Sequence, residues 1–241
     1  MRRILAPEMM DAPDVPRQEL DRALGFIRLV NRRLGGASAL LHHLDEWSAR
    51  WPRDRPITLL DIATGSADLP IAAARWARRR GFDLRVTGID IHATTLALAQ
   101  EHVDAHPDVS GSITLRGADA LRLMDDFPPR SFDYVHAGLF LHHLGFEQAL
   151  TALRIVDRLA RAGIIWNDLN RSRVAYGAVH ALTIGRPRIV RHDARASVRA
   201  GFTRAEALDM ARRLDLHYCR YRLDGLAQRF TLAGERPGAW S

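Results

Sequence analysis

Lysine is absent from the sequence: all 35 basic residues among its 241 are arginine. Without it there can be no Schiff base, no phosphate-loop lysine and no lysine general base, which excludes pyridoxal enzymes, class I aldolases and P-loop nucleotide hydrolases. Cysteine is almost as scarce. Cys219 stands alone, so an intramolecular disulfide, an iron–sulfur cluster and a multi-cysteine zinc site are excluded, and the cytoplasm is the expected compartment. No apolar run approaches the ~18 residues of a membrane span. The opening Met1-Arg2-Arg3-Ile4-Leu5 leads into acids and prolines rather than an apolar signal core, so neither a membrane segment nor export is expected.

What is present is an ordinary globular composition, 47% hydrophobic and 26% charged, sufficient for a sizeable core. No linker divides the chain, and one domain over residues 1–241 is expected. The formal charge of +7 raises a nucleic-acid partner as a possibility. Arg78-Arg79-Arg80 and Arg212-Arg213 fall at predicted helix ends, where cations complement the dipole. The denser set from Arg186 through Arg188, Arg191, Arg195, Arg199 and Arg204 carries only Phe202 as an aromatic platform, so a nucleic-acid partner is not the leading expectation.

Residues 1–15 read as an irregular lead-in. Leu20, Ala23-Leu24, Ile27 and Val30 recur at helical spacing, Gly35-Gly36 stops that helix, and Ser38 is placed to cap a second one through about Trp47. From residue 57 short apolar runs alternate with amphipathic segments, which signals strand–helix–strand units and a parallel sheet. Strands are predicted at Ile57–Ile62, Leu84–Ile89, Ile113–Arg116, Ser131–Ala137 and Gly163–Asn167. Helices are predicted at Asp68–Arg80, Ala93–His106, 146–160, Val174–Ile184 and near 203–214. Leu216–Leu223 and Ala227–Leu232 are joined by about three residues, a connection short enough only for an antiparallel hairpin. The expected architecture is α/β: a doubly wound, Rossmann-like, mostly parallel sheet of seven strands with an antiparallel C-terminal hairpin. An N-terminal helical lid over residues 1–50 precedes a cofactor-binding core at 57–168 and acceptor-side helices with the hairpin at 169–241.

Two features point to a nucleoside. Leu59-Leu60-Asp61-Ile62-Ala63-Thr64-Gly65-Ser66-Ala67-Asp68-Leu69 reads as strand, tight small-residue turn and helix start, where backbone can approach a ligand closely. Val86-Thr87-Gly88-Ile89-Asp90 then ends the next strand in an acid 29 residues after Asp61, the position from which a carboxylate accepts both hydroxyls of a ribose.

These residues resemble the class I S-adenosylmethionine-dependent methyltransferases, most closely the small-molecule enzymes of the ubiquinone/menaquinone type. The resemblance covers most of residues 57–168. The family's acid and three alternating glycines correspond to Asp61, Ala63, Gly65 and Ala67, with only the central glycine kept. The resemblance places the Ala67 methyl group where the cofactor's methionine end is expected. It implies Asp90 as the ribose acid, Ile91 as the apolar residue against adenine, and Asp119 with Ala120, in Gly117-Ala118-Asp119-Ala120-Leu121, at the adenine amino group. Ser131 to Leu144, with Ala137, Gly138 and Leu139 and its Leu-His-His-Leu end, is similar to the family's fourth-strand motif. The implied cofactor is S-adenosylmethionine, with S-adenosylhomocysteine as product. A dinucleotide is disfavoured on chemistry: Asp68 falls where a pyrophosphate-binding glycine is needed, and a carboxylate there suits a cationic ligand.

Methyl transfer to an acidic hydroxyl is helped by a general base, and histidine is the natural residue. Three histidines are candidates, His142, His143 and His192: His143 is placed by the end of the fourth strand and His192 lies in the Arg-rich segment beside Asp193, and these two are taken as the catalytic residues, while His142 and His143 read equally as packed, hydrogen-bonded structural residues. Asn31 and Arg32 read as solvated helix positions. Trp166 to Arg173 leads into an apolar helix, which suits an aromatic or lipid-like acceptor. Residues 191–202 bear a weaker likeness to methyltransferases of polyketide and aromatic natural-product pathways. His42-His43 and His102/His106 read as surface residues, and no metal is expected. The function implied is O-methylation of a small phenolic or polyketide-derived acceptor by a monomer or homodimer. RNA methylation and a non-catalytic cofactor- or partner-binding subunit are the alternatives.

Overall fold

The structure, a computed structural model, describes residues 1–240. After a 3-10 turn at Met9–Asp11 come helices α1 (Arg17–Arg33) and α2 (Gly36–Trp47), then β1 (Ile57–Ile62), α3 (Asp68–Arg80), β2 (Leu84–Asp90), α4 (Ala93–Asp104) and β3 (Ile113–Gly117). The short α5 (Leu123–Asp126) precedes β4 (Phe132–Gly138), α6 (Phe146–Leu159) and β5 (Ala160–Leu169). Helices α7 (Arg173–Leu182), α8 (Arg188–Ala200) and α9 (Arg204–Arg213) lead to β6 (Arg220–Asp224) and β7 (Arg229–Glu235). The seven strands form one sheet in the order β3-β2-β1-β4-β5-β7-β6. The first five run parallel, and β7 pairs antiparallel with both β5 and β6. The doubly wound sheet and its terminal hairpin are as expected. Among the described residues no helix is long and apolar enough to cross a membrane.

The parallel strands are apolar runs because both faces of the sheet are covered. Leu60, Ile62, Val135, Ile164 and Trp166 face α6 and α9. Their neighbours Leu59, Val86, Tyr134 and Ile165 face α2 and α3. Alternation along each strand thus feeds two cores. Strand order reverses between β1 and β4, and there, at the strands' carboxyl ends, an open α/β sheet leaves room for a ligand.

Three local expectations are corrected. Helix α2 begins at Gly36 behind Gly35, whose φ of +86° only glycine adopts freely, and the Ser38 hydroxyl merely donates to the Gly35 carbonyl at 3.1 Å. The Arg-rich stretch after residue 186 is the helix α8, burying Ile189, Val190, Asp193, Ala196 and Val198 while Arg188 and Arg191 are exposed and Arg195 and Arg199 are half-buried. Residues 1–15 are a strap and not a loose end. The Ile4 amide donates to the Arg199 carbonyl, Arg3 donates to the carbonyls of Ala200 (2.7 Å) and Leu144 (2.9 Å), and its guanidinium lies 4.3 Å from the Phe202 ring centre. The Met9 and Met10 amides both donate to the Asp193 carboxylate.

Candidate active site

A cavity of about 490 Å³ lies over the carboxyl ends of the parallel strands, walled on the far side by α1 and the N-terminal strap. Its floor is the turn between β1 and α3. Ala63, Gly65 and Ala67 all have positive φ, between +54° and +57°, a conformation that side chains with a Cβ resist. These are the three alternating positions at which the resembling family keeps glycine, so the motif is a backbone requirement. The turn is tied down from both sides: the Thr64 amide donates to the Ile89 carbonyl, and the Gly65 amide donates to the Asp90 carboxylate at 3.1 Å.

Asp90 is buried at the end of β2 with one backbone donor on each oxygen, Gly65 on Oδ2 and His92 on Oδ1. A carboxylate has about four acceptor sites, so capacity remains for two hydroxyls. Burial pushes its pKa up, against the pull of those two amides. Ile91, next in the chain, is 64% exposed although it lines the cavity, an apolar surface suited to covering by a flat ring. Asp119 lines the same wall and accepts from the Leu121 amide at 2.9 Å. Asp61 is buried and committed inward, accepting from the His136 ring nitrogen Nδ1 at 2.6 Å and from the Thr64 hydroxyl at 2.7 Å.

At the strap side stand the two histidines. His143 lines the cavity with Nδ1 2.9 Å from Asp11 Oδ2. Burial alone would raise Asp11, but the His143 hydrogen bond and the charges of His143, His92 and His142 hold its carboxyl below the usual range. His142 is buried, with Nδ1 2.6 Å from Asp168 Oδ1 and Nε2 3.6 Å from Glu8 Oε1. Burial would lower this imidazole, yet Asp168 and Glu8 outweigh it and push the pKa up to about 10. Ligand atoms of Glu8, His142 and His143 come within 4.8 Å of one another, with each Nδ1 already spent on a carboxylate. The second such group, His42, His43 and Glu46, is remote from the cavity. His43 is buried rather than at the surface, bonded to the Thr231 hydroxyl at 3.1 Å.

Of the residues singled out from sequence, Asp61, Ala63, Gly65, Asp90, Ile91, Asp119, Ala120, Gly138, Leu139 and His143 line this one cavity. Three do not. Ala67 is fully buried, its side chain packed with Ile71, Ala74 and Ala99 between α3 and α4, so its methyl group does not obstruct the cavity. Ala137 lies inside the sheet core. His192 is on the outer side of α8, its ring 2.9 Å from Asp193 and outside the cavity lining, because the helix turns Asp193 inward and its neighbour out.

Asn31 overturns its expectation as a solvated residue. It is buried, accepts from Arg229 Nη1 at 2.9 Å and donates to Asp68 Oδ2 at 3.0 Å. Asp68 is accordingly an inner residue of the first turn of α3, behind Ala67 at the cap position. Arg229 and Asn167 also line the cavity, both buried. The polar run after β5 signals Asn167, whereas an arginine in a hairpin strand has no sequence signal that separates it from a solvated one. The residues present fit a nucleoside bearing a cationic, phosphate-free tail: a carboxylate and an apolar face at one end, and buried amide groups of Asn167 lacking any partner at the other.

Residues 59–163 match the family model of the methyltransferase domain. The ribosomal protein L11 methyltransferase of Geotalea uraniireducens is 35% identical over 113 residues, 46% of this chain and 30% of that protein, so the chain spans under a third of this relative's length. An O-methyltransferase family protein from Burkholderia thailandensis matches in structure with a TM-score of 0.62 at 16% identity, over 91% of this chain and 61% of that one. An arsenic(III) S-adenosylmethionine methyltransferase from Chlamydomonas reinhardtii gives 0.54 at 18% identity, over 76% and 64%. At such identities the two structures speak to the fold alone. Fold, glycine-position turn and matched residues agree that the chain carries, over residues 59–163, a class I S-adenosylmethionine-dependent methyltransferase domain whose cofactor is S-adenosylmethionine.

Proposed function

We propose that the whole chain is a methyltransferase that O-methylates a small, apolar acceptor bearing an acidic hydroxyl, phenolic or polyketide-derived. The observation that carries this reading is a second chamber of about 160 Å³ between α1, α7, α8 and the hairpin turn. Phe26, Val30, Val179, Val190 and Val198 line it, and it adjoins the first cavity at Leu139, Leu169, Glu8 and Ser197. Apolar walls with a few polar groups at the junction suit an aromatic or amphiphilic acceptor. S-adenosylmethionine, when bound, supplies a methyl group activated by its sulfonium.

The chain's own residues have three tasks. Asp90, Ile91, Asp119 and Ala120 bind the nucleoside; the strap and α1 exclude water; and the apolar chamber orients the acceptor. His143, one nitrogen held by Asp11, is the base that takes the acceptor's proton on its other nitrogen. The Asp11 pairing fixes the ring's orientation. One domain, a cytoplasmic setting and the narrower ubiquinone/menaquinone-type likeness belong to this same reading.

A second reading, methylation of RNA, is favoured by one observation: Arg188, Arg191, Arg195 and Arg199 follow one another at helical spacing on α8. Against it, Phe202 is fully buried under Arg3 and edge-on to Trp166, so it offers no platform to a base. Leu182 and Leu226, which line the apolar chamber, are exposed apolar residues. The non-catalytic reading rested on the Ala67 methyl group, which lies outside the cavity.

The test is a panel of phenols with graded apolar substituents, scored by product mass and S-adenosylhomocysteine release, with and without heparin. Turnover of phenols that rises with apolar substitution and is indifferent to heparin is expected. Turnover of RNA alone, abolished by heparin, would replace this reading with the second.

A further inference from the structure

Helix α7 turns its apolar face outward. Val174, Ala178 and Leu182 recur every fourth residue along it and all three are exposed, while Ala175 is the residue it buries. The spacing is that of a core-facing stripe, yet the stripe is uncovered. Ile184, in the turn after α7, is 79% exposed, and Leu226, at the tip of the hairpin between β6 and β7, is 100% exposed. Leu182 and Leu226 both line the apolar chamber, so the chamber reaches the surface within this patch. Apolar side chains left uncovered together mark a surface that another body covers.

The charge around the patch has one sign. Residues 169–192 contain five arginines and no acid. Arg173 opens α7, Arg186 and Arg188 stand on either side of Pro187 where α8 begins, and all three are exposed. Among the described residues the one ion pair made by an arginine of this segment is that of buried Arg171 with Glu206. The Arg186 guanidinium stands 5.8 Å from the ring centre of Phe26, which lines the chamber, so cation and chamber adjoin. Asp224, the acid of the hairpin tip, accepts from the amides of Leu226 and Ala227.

A second copy of the chain would bring these arginines against their own counterparts across a two-fold axis. A nucleic acid needs aromatic platforms, and the aromatic residue of α7, Tyr176, is half-buried with its ring edge-on to His180. An anionic lipid surface matches both parts of the patch, since acyl chains take the apolar side chains and headgroups take the guanidinium groups. We propose that α7 and the hairpin tip dock on the surface of an anionic lipid bilayer, with Val174, Leu182, Ile184 and Leu226 at the boundary of headgroups and acyl chains and Arg173 and Arg186 at the phosphates. The chain then lies on the membrane without spanning it, and the mouth of the apolar chamber opens at the lipid. Resting on the reading of an apolar acceptor, this makes the acceptor one that partitions into lipid and enters the chamber from the bilayer.

Vesicle co-sedimentation of the full chain tests the docking without any turnover. Wild type is expected to bind vesicles of equal parts phosphatidylcholine and phosphatidylglycerol at least about tenfold more tightly than vesicles of phosphatidylcholine alone, a difference that shrinks in high salt. Val174→Ser with Ile184→Ser, at two positions outside both cavities, should weaken binding to the mixed vesicles by about tenfold or more. Arg173→Gln with Arg186→Gln should weaken it by about 20-fold, at about fivefold per arginine, and leave binding to phosphatidylcholine alone unchanged. Unchanged calorimetric binding of S-adenosylhomocysteine reports an intact fold in both variants. Absence of wild-type binding to the mixed vesicles overturns the docking, as does binding that survives both double variants. Without vesicle binding, a dimer lost in the apolar variant gives the patch to a second copy, and RNA binding lost in the arginine variant gives it to a nucleic acid; either result overturns the proposal. Vesicle binding with no turnover of any phenol leaves the docking standing and removes the acceptor reading, whereas turnover of phenols without vesicle binding removes the docking alone.

Discussion

The Nδ1 atom of His142 lies 2.6 Å from Asp168 Oδ1, and both side chains are buried where β4 and β5 end beside the N-terminal strap. Because Glu8 approaches from the strap, the imidazole is a charged bridge between strap and sheet. Its pKa, pushed up to about 10, exceeds the unfolded value of about 6.5. The bridge therefore contributes stability that is complete below about pH 6.5 and lost as pH rises toward 10. Asp168 is shifted the other way, held low by His142, so its share is present above the ordinary carboxylate range and lost on acidification. Thermal midpoints measured from pH 6 to 10.5 should fall more steeply for wild type than for His142→Gln. Parallel curves would show that the pair does not carry this charge.

His143→Ala should lower kcat by about 10²–10⁴ if its ring is the acceptor's base. Cofactor affinity should be intact, because the nucleoside contacts lie on β2 and the turn after β3. Asp11→Asn should cost less, since it removes only the orientation of the ring. The readout is single-turnover methyl transfer beside calorimetric cofactor binding, and full turnover in His143→Ala would remove the base from the mechanism.

The positive φ at Ala63 and Ala67 allows a comparison of two glycine substitutions. Relieving an alanine in the left-handed region is worth about 1–2 kcal/mol, offset by about 0.4–1 kcal/mol of added freedom in the unfolded chain. Ala63→Gly should therefore stabilise by about 0.5–1 kcal/mol. Ala67→Gly also deletes a methyl group from a packed cluster, a loss of about 0.8 kcal/mol, and should be close to neutral. Denaturant midpoints of the two variants decide the ordering. Equal stabilisation would mean that the Ala67 methyl contributes no packing.

Asp90→Asn keeps the size of the side chain but replaces charged acceptors with a half-donating amide. With about 1.5–3 kcal/mol for a hydrogen bond to a charged group, affinity for S-adenosylhomocysteine should drop by about 100-fold or more. A far-ultraviolet spectrum like wild type would rule out unfolding as the cause, and unchanged affinity would remove Asp90 from the ribose position.

The sheet was readable along the chain because burial leaves a local period. Ile57–Ile62 and Phe132–Gly138 are largely apolar and buried at nearly every position since both faces are covered, and the three-to-four-residue recurrence in 146–159 marks the helix packed on them. Asp90 was readable for a similar reason: one strand–helix unit sets the spacing between Asp61 and the next strand end. Helix α8 carried a comparable period at Ile189, Asp193, Ala196 and Ala200, obscured by its arginines and by a buried acid at one core position.

The contacts that give the cavity its chemistry had no such record. Asn31 meets Asp68 37 positions along and Arg229 198 positions along; Asp11 reaches His143 across 132. That His143 lines the cavity and His192 does not, the inward commitment of Asp61 and the direction of the Ala67 methyl group were likewise decided by packing. Chain pattern records whether a position is buried in its own element, since that depends on a repeat of two or 3.6 residues. Which buried polar group faces which is set when separate elements dock, and no residue carries that information until they do.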